Sequence, residues 1–127
     1  MIRNSMQLLN NIKNHQELFL LSYVHSKITV FNLIILNCFL EDGLIRGYKK
    51  KKNKLYIFLK YIKGKSVLRN INFISKPSRR VFLSFLGILK LNIFYFKYFY
   101  ISTSRGLMNH WSALSKGLGG EVFFVIW

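Results

Sequence analysis

Residues 101–127, ISTSRGLMNHWSALSKGLGGEVFFVIW, decide how the rest of the chain is read. Three small hydroxylated residues, Ser102, Thr103 and Ser104, meet Arg105 and Gly106. A helix-length segment follows, then Gly119-Gly120 and the apolar run Val122 to Trp127. The order predicts strand, polar turn, short helix, glycine turn and closing strand. Hydroxyls beside an arginine and a glycine offer side-chain and backbone donors to phosphate or sugar oxygens, so the turn suits binding rather than catalysis.

The charge points the same way. Lys plus Arg total 20 against Asp plus Glu 4 in 127 residues, a formal net charge of +16. Residues 1–42 are neutral, with Arg3, Lys13 and Lys27 set against Glu17, Glu41 and Asp42. Beyond them 17 basic residues face Glu121 alone. Ile, Lys, Phe and Asn are abundant and Ala occurs only at Ala113, the composition of a chain encoded with A/T-rich codons. Such drift accounts for Lys over Arg but not for the loss of acids after residue 42, which a polyanionic partner explains.

Other classes find little support. His15, His25 and His110 show no metal-ligand spacing with each other or with Cys38. The four acids make no acid–base pair across a cleft, and no phosphate-cradling G-x-x-x-x-G-K-[ST] run exists. Neither enzyme chemistry nor a cofactor is expected. The lone Cys38 excludes an intramolecular disulfide and reads as a small core hydrophobe. Val81 to Ile101 is long and apolar enough to raise a membrane anchor as the rival reading, but Lys90 and Lys97 each cost on the order of 2.5–3.5 kcal/mol at bilayer depth. No signal peptide or arginine-rich presequence opens the chain, so a protein working in an organelle is expected to be made there.

Along the chain, apolar residues at three- and four-residue spacing predict a helix over Arg3 to Asn14. Leu18 to Tyr23 reads as a buried strand. Ser26 is the candidate N-cap of a helix from about Lys27 to Glu41, ended by Gly43. Leu44 to Tyr48 and Leu55 to Tyr61 read as strands joined by a charged hairpin loop, Lys49 to Lys54, in which Lys50 and Lys51 are candidate phosphate contacts. Ser66 to Ile74 reads as another strand. Pro77, the only proline, fixes a turn that holds Lys76, Arg79 and Arg80 on an exposed corner, with Ser75 at its start. Leu83 to Gly87 reads as a linker, and Tyr95 to Ile101 as a strand paired with Val122 to Trp127. Glu121 is expected to accept hydrogen bonds from the Ser102–Ser104 turn or from RNA donors. Together these elements predict an α+β protein of two small lobes. Residues 1–62 form helices and strands on a short sheet, and residues 63–127 a mostly antiparallel β lobe with a short helix.

Several segments, in order, resemble the small-subunit ribosomal protein eight family. Ser102-Thr103-Ser104-Arg105-Gly106, Ala113 and Gly117-Leu118-Gly119-Gly120-Glu121 match its C-terminal pattern. Ser26-Lys27-Ile28, Glu41-Asp42-Gly43, Leu59-Lys60-Tyr61 with Gly64-Lys65, and Ser75-Lys76-Pro77-Ser78-Arg79-Arg80-Val81-Phe82 extend it over nearly the whole chain. Ser78 replaces a usual Gly, Phe82 a Tyr, and Leu83 to Gly87 is more apolar than the family's linker. The resemblance implies a structural protein of the small ribosomal subunit that binds a central-domain stem of its RNA and supports assembly; beside the membrane anchor, a non-ribosomal RNA-binding protein is the other alternative. Neighbouring small-subunit ribosomal proteins are its other partners, with no small-molecule substrate and no membrane. The implied RNA contacts are Ser102 to Gly106, Glu121, Ser75 to Pro77, Arg79 and Arg80, with Lys50 and Lys51. Taken with the A/T-rich composition, the resemblance implies an organelle-encoded protein of the mitochondrial matrix, in the mitochondrial ribosome, with a plastid as the alternative.

Overall fold

The computed structural model describes residues 2–17, 22–25, 28–94 and 98–127. The chain divides into two compact units, Met1–Asn70 and Ile71–Trp127.

In the first unit the order is α1 (Ile2–Glu17), β1 (Ser22–His25), α2 (Val30–Glu41), β2 (Ile45–Lys51) and β3 (Lys54–Leu59). The three strands form an antiparallel sheet in the order β1-β3-β2. Its inner face holds Ile45, Leu55, Ile57 and Leu59, all buried, as are Leu8, Leu9 and Ile12 of α1 and Ile35, Leu36 and Phe39 of α2. Spacing of three and four puts the helical set on one stripe, and alternation puts the strand set on one face. Tyr48, on the same face as Ile57, donates its hydroxyl hydrogen to Asn37 of α2.

Four expectations change here. The described helix α2 begins at Val30, and its N-cap is Thr29, whose side chain accepts from Asn32 N at 3.2 Å. Ser26 and Lys27 lie outside the described residues, as do Leu18 to Leu21. The Lys49 to Lys54 segment is not a loop: Lys49 pairs with Tyr56, Lys50 with Leu55 and Lys51 with Lys54, leaving Lys52-Asn53 as the turn. A ladder needs only backbone groups, so strands persist where the side chains stand in water. Ser66 to Ile74 is not one strand either. A small hairpin, β4 (Tyr61–Ile62) with β5 (Lys65–Ser66), turns through Lys63 and Gly64, both at positive φ. Val67 N then donates to Lys60 O, Leu68 is buried, and strand structure resumes at Ile71. The division at residue 62 read from the sequence and the one at residue 70 differ by this hairpin and its anchor.

Gly43 does end α2, at φ +73°, with Leu44 N donating to Phe39 O and Gly43 N to Leu40 O. That is a Schellman closure, and Lys60 Nζ adds a bond to Gly43 O at 3.0 Å. Cys38 is half-buried, and burial, then Glu41 and Asp42, push its thiol up to about 11. It stays a neutral thiol at ordinary pH.

The second unit contains β6 (Ile71–Phe73), β7 (Phe82–Leu83), α3 (Phe85–Phe94), β8 (Tyr98–Thr103), β9 (Gly106–Asn109), α4 (His110–Ser115) and β10 (Gly120–Ile126). Its sheet runs β6-β10-β8-β9, with β7 also on β10, and every pairing is antiparallel. Ile88 of α3 and Ala113 of α4 pack with Phe99, Ile101, Met108, Val122 and Val125. Tyr100 stacks on Phe124 at 5.0 Å, and Phe73 meets Phe124 edge-on.

Tyr98 to Ile101 pair with the closing strand as expected, and the pairing continues to Ser102, while Tyr95 to Lys97 lie outside the described residues. Two elements were not foreseen. Residues 85–94 are helical rather than a linker, and residues 106–109 form a strand rather than the start of the helix. Asn109 caps α4 by accepting from Ser112 N at 2.8 Å, which delays that helix to His110. The apolar stretch 81–101 is thus broken into strand, helix and strand. Among the described residues no helix is long and apolar enough to cross a membrane.

Candidate nucleic-acid interface

Strand β10 organises one end of the second sheet. On one side its first residues pair with β8, Glu121 lying opposite Ser102. On the other they pair with β7, Gly120 opposite Leu83 and Glu121 opposite Phe82. The hydroxyl hairpin and the proline corner therefore flank the same short run of β10.

The corner is held by a break in register. Phe123 is an extra residue between Val122, opposite Ile101, and Phe124, opposite Tyr100, so β10 bulges there. The bulge's Phe123 carbonyl accepts from Ile74 N at 2.9 Å and Ser75 N at 3.2 Å. Ser75, 1% exposed, donates its hydroxyl to Val122 O at 2.6 Å and accepts from Val81 N at 3.0 Å, while Val122 N donates to Val81 O. Between these anchors Lys76 and Arg79 exchange both backbone bonds, at 2.8 and 3.0 Å, around Pro77-Ser78. Lys76, Pro77, Ser78, Arg79 and Arg80 are all exposed. Ser78 is not at positive φ, so this turn does not require the glycine that its relatives' pattern carries.

The hairpin between β8 and β9 turns at Ser104-Arg105. Thr103 Oγ1 donates to Gly106 O at 2.9 Å and accepts from Arg105 N at 3.2 Å, which occupies the hydroxyl in the turn itself. Gly106 has φ +109°, a conformation that L side chains rarely adopt. Ser104 and Arg105 are exposed, and Ser102 and Ser104 hydroxyls make no hydrogen bond among the described residues. The three hydroxyls thus divide, Thr103 shaping the turn and Ser104 pointing its chemistry outward.

Gly119 and Gly120 make the close approach possible. A Cβ on Gly120 would stand 2.0 Å from Ser102 O, and one on Gly119 would stand 2.7 Å from Leu83 O. Only glycines let β10 pass between β8 and β7 at this separation, a requirement the pattern of two glycines did not by itself reveal. Glu121 follows, 9% exposed, with Oε1 buried and without a hydrogen-bond partner among the described residues. Its expected bond with the Ser102–Ser104 hydroxyls is absent there. A buried carboxylate oxygen with no partner is a waiting acceptor.

His110, fully buried, accepts from Phe99 N at 3.2 Å through Nδ1 and packs against the Phe99 and Trp111 rings. Burial lowers its pKa from 6.5, against a smaller opposing contribution from the Phe99 backbone. Lys50 and Lys51 belong to the first unit, exposed near the end of the β2–β3 ribbon. Among the described residues no group of three or more His, Cys, Asp and Glu could hold a metal ion.

Fold and surface define a small, strongly basic α+β protein built to face a polyanion. The family described as Ribosomal protein S8 matches residues 3–127, and the chain belongs to that family. It is 34% identical over 125 aligned residues to small ribosomal subunit protein uS8 of Baumannia cicadellinicola, covering 91% of this chain and 89% of that one. It is 34% identical to uS8c of Bigelowiella natans with both chains fully covered, and 48% identical over 93 residues to uS8 of Buchnera aphidicola, covering 64% of each. It is a structural protein of the small ribosomal subunit.

Proposed function

We propose that the second unit grips an irregular stem in the central domain of small-subunit ribosomal RNA and supports its folding during assembly. The observation carrying this reading is the meeting of the Ser104-Arg105 hairpin and the Lys76–Arg80 corner on the two sides of β10 around Glu121. A-form stems hide base edges in a deep groove, so a reader works from the shallow groove through 2′-hydroxyls and distorted positions. Exposed Ser104 and the free Ser102 hydroxyl reach sugar and base edges at close range, and Glu121 Oε1 accepts from an exocyclic amine or 2′-hydroxyl. Lys76, Arg79, Arg80 and Arg105 supply phosphate attraction, and Ser75 and Thr103 hold the surface in shape. Pro77 and Gly106 set the two turns. Lys50 and Lys51 add sequence-independent attraction from the first unit. The role is structural rather than catalytic, with neighbouring ribosomal proteins as further partners and no small-molecule substrate. The A/T-biased composition and the full-length match to a uS8c protein support an organellar ribosome, the mitochondrial one by composition, with the plastid as alternative.

The test is a salt titration of two variants against the cognate stem and an unrelated duplex. Ser102→Ala/Ser104→Ala removes short hydrogen bonds without charge and should weaken the cognate stem by about 1–3 kcal/mol at an unchanged salt slope. Lys50→Gln/Lys51→Gln should weaken both RNAs alike and flatten the slope by somewhat under one unit per lysine. Equal losses on both RNAs for the serine variant would remove the hairpin as a recognition element.

A further inference from the structure

The first unit's sheet has an outer face of which the interface above uses only Lys51. Antiparallel partners share a face, so Gly47 with Phe58, Lys49 with Tyr56 and Lys51 with Lys54 stand together, opposite the face of Leu55, Ile57 and Leu59. The inner set is fully buried, whereas Phe58 is 43% exposed, Tyr56 half-exposed, and Lys49, Lys51 and Lys54 exposed. Gly47 leaves the side of Phe58 open: a Cβ there would meet nothing within 4 Å. Neither the Tyr56 nor the Phe58 ring contacts another ring or makes a hydrogen bond among the described residues. Beside Tyr56 a concavity of about 460 Å³ is lined by Lys51, Lys52, Asn53 and Lys54.

We propose that this face is a stacking platform for unpaired RNA bases, a second RNA site independent of the one on β10. Two uncovered rings two residues apart on one strand lie roughly 7 Å apart along it, close to the spacing of bases in an opened single strand. Three lysines on the same face meet the phosphates of such a strand. Lys51 directly opposite Lys54 is a like-charge pair that costs stability in the free protein, and a bound polyanion relieves it. A protein partner would be expected to find an acid or an aliphatic surface among these residues. On β2 and β3 the face shows cations and aromatic rings instead, the chemistry that receives a nucleic-acid strand.

The experiment uses the full chain with a 2-aminopurine-labelled octa-adenylate and a self-complementary RNA duplex of equal charge. Stacking on the platform quenches the label as the single strand binds. Tyr56→Ala/Phe58→Ala should abolish the quench and lower single-strand affinity tenfold or more, at an unchanged salt slope and unchanged duplex affinity. Tyr56→Phe/Phe58→Tyr keeps both rings, reports that the face is folded, and should restore quench and affinity. Lys49→Gln/Lys51→Gln/Lys54→Gln should flatten the single-strand salt slope by about two units. A native protein that binds the octa-adenylate without quenching, or an alanine variant that keeps wild-type affinity, would overturn the proposal. So would equal losses on both RNAs, and a face that takes up neither RNA belongs to a protein neighbour. Ser102→Ala/Ser104→Ala leaves the quench unchanged, so failure at β10 and failure here are separable.

Discussion

Two hairpins in this chain present polar ends to solvent by opposite means. The β2–β3 ribbon carries five lysines at or beside its turn, and nothing in the turn except backbone pairing and Lys52 at φ 54° shapes it. The β8–β9 hairpin carries a single cation, Arg105, and is shaped by the Thr103 hydroxyl, Gly106 at positive φ, and a glycine pair that lets β10 lie against it. Charge acts at a distance and tolerates loose placement, whereas a short hydrogen bond loses its value within an ångström. The first hairpin therefore needs composition, and the second needs architecture.

The sharpest way to break that contrast is Gly120→Ala. Its Cβ would stand 2.0 Å from a backbone oxygen that no side-chain rotation can move, so the loss should exceed about 3 kcal/mol and unfold or splay the second unit. Gly47→Ala in the first hairpin meets nothing within 4 Å and should leave the thermal midpoint nearly unchanged. Similar midpoints for the two variants would show that the β10 approach is not the constraint described.

Next in size is Ser75→Ala. It leaves the buried Val122 carbonyl and Val81 N–H each short of a partner, a cost of about 1–3 kcal/mol measured by denaturant midpoint. Affinity for the cognate stem should fall as well, because the corner carrying Arg79 and Arg80 loses its anchor.

Thr103→Val and Ser104→Ala then separate shaping from contact within one turn. The first should lower stability by about 1 kcal/mol through the lost turn bonds. The second should leave stability unchanged and reduce only RNA affinity. A stability loss for Ser104→Ala equal to that for Thr103→Val would end the division of labour.

The smallest expected effect concerns pH. The folded pKa of His110 lies below its unfolded value of 6.5, so as pH falls the unfolded chain takes up the proton first. The contribution to stability is fully present above 6.5 and declines as pH drops through the folded pKa. His110→Gln keeps an acceptor for Phe99 N without titrating. Its melting temperature should fall less than that of the native protein between about pH 7.5 and 5.5.

The class of the protein was legible because charge, glycine positions and hydroxyl runs are properties of the chain itself. The acid-free stretch after residue 42, the Ser102–Gly106 run and the Pro77 corner needed no neighbour to be noticed, and Val122 to Trp127 announced a strand by its apolar and aromatic content. Local rules also foresaw Gly43 as the end of α2, since a helix closes on its own carbonyls. They failed where a local preference competed with a nearby alternative. Asn109 took the N-cap and left residues 106–109 free to pair with β8, and Thr29 caps α2 where Ser26 was expected.

Only the tertiary structure decided the roles of individual polar groups, because those depend on what lies across a sheet. Ser75, Thr103 and Ser104 are similar hydroxyls in sequence. In the fold one is buried between two strands, one is occupied by its own turn, and one faces solvent. The same holds for Lys49 and Lys51 beside Tyr56 and Phe58. Their period-two spacing was present in the chain, but which face stands open follows from α1 and α2 packing against the other side, a choice set by buried apolar area rather than by any local signal.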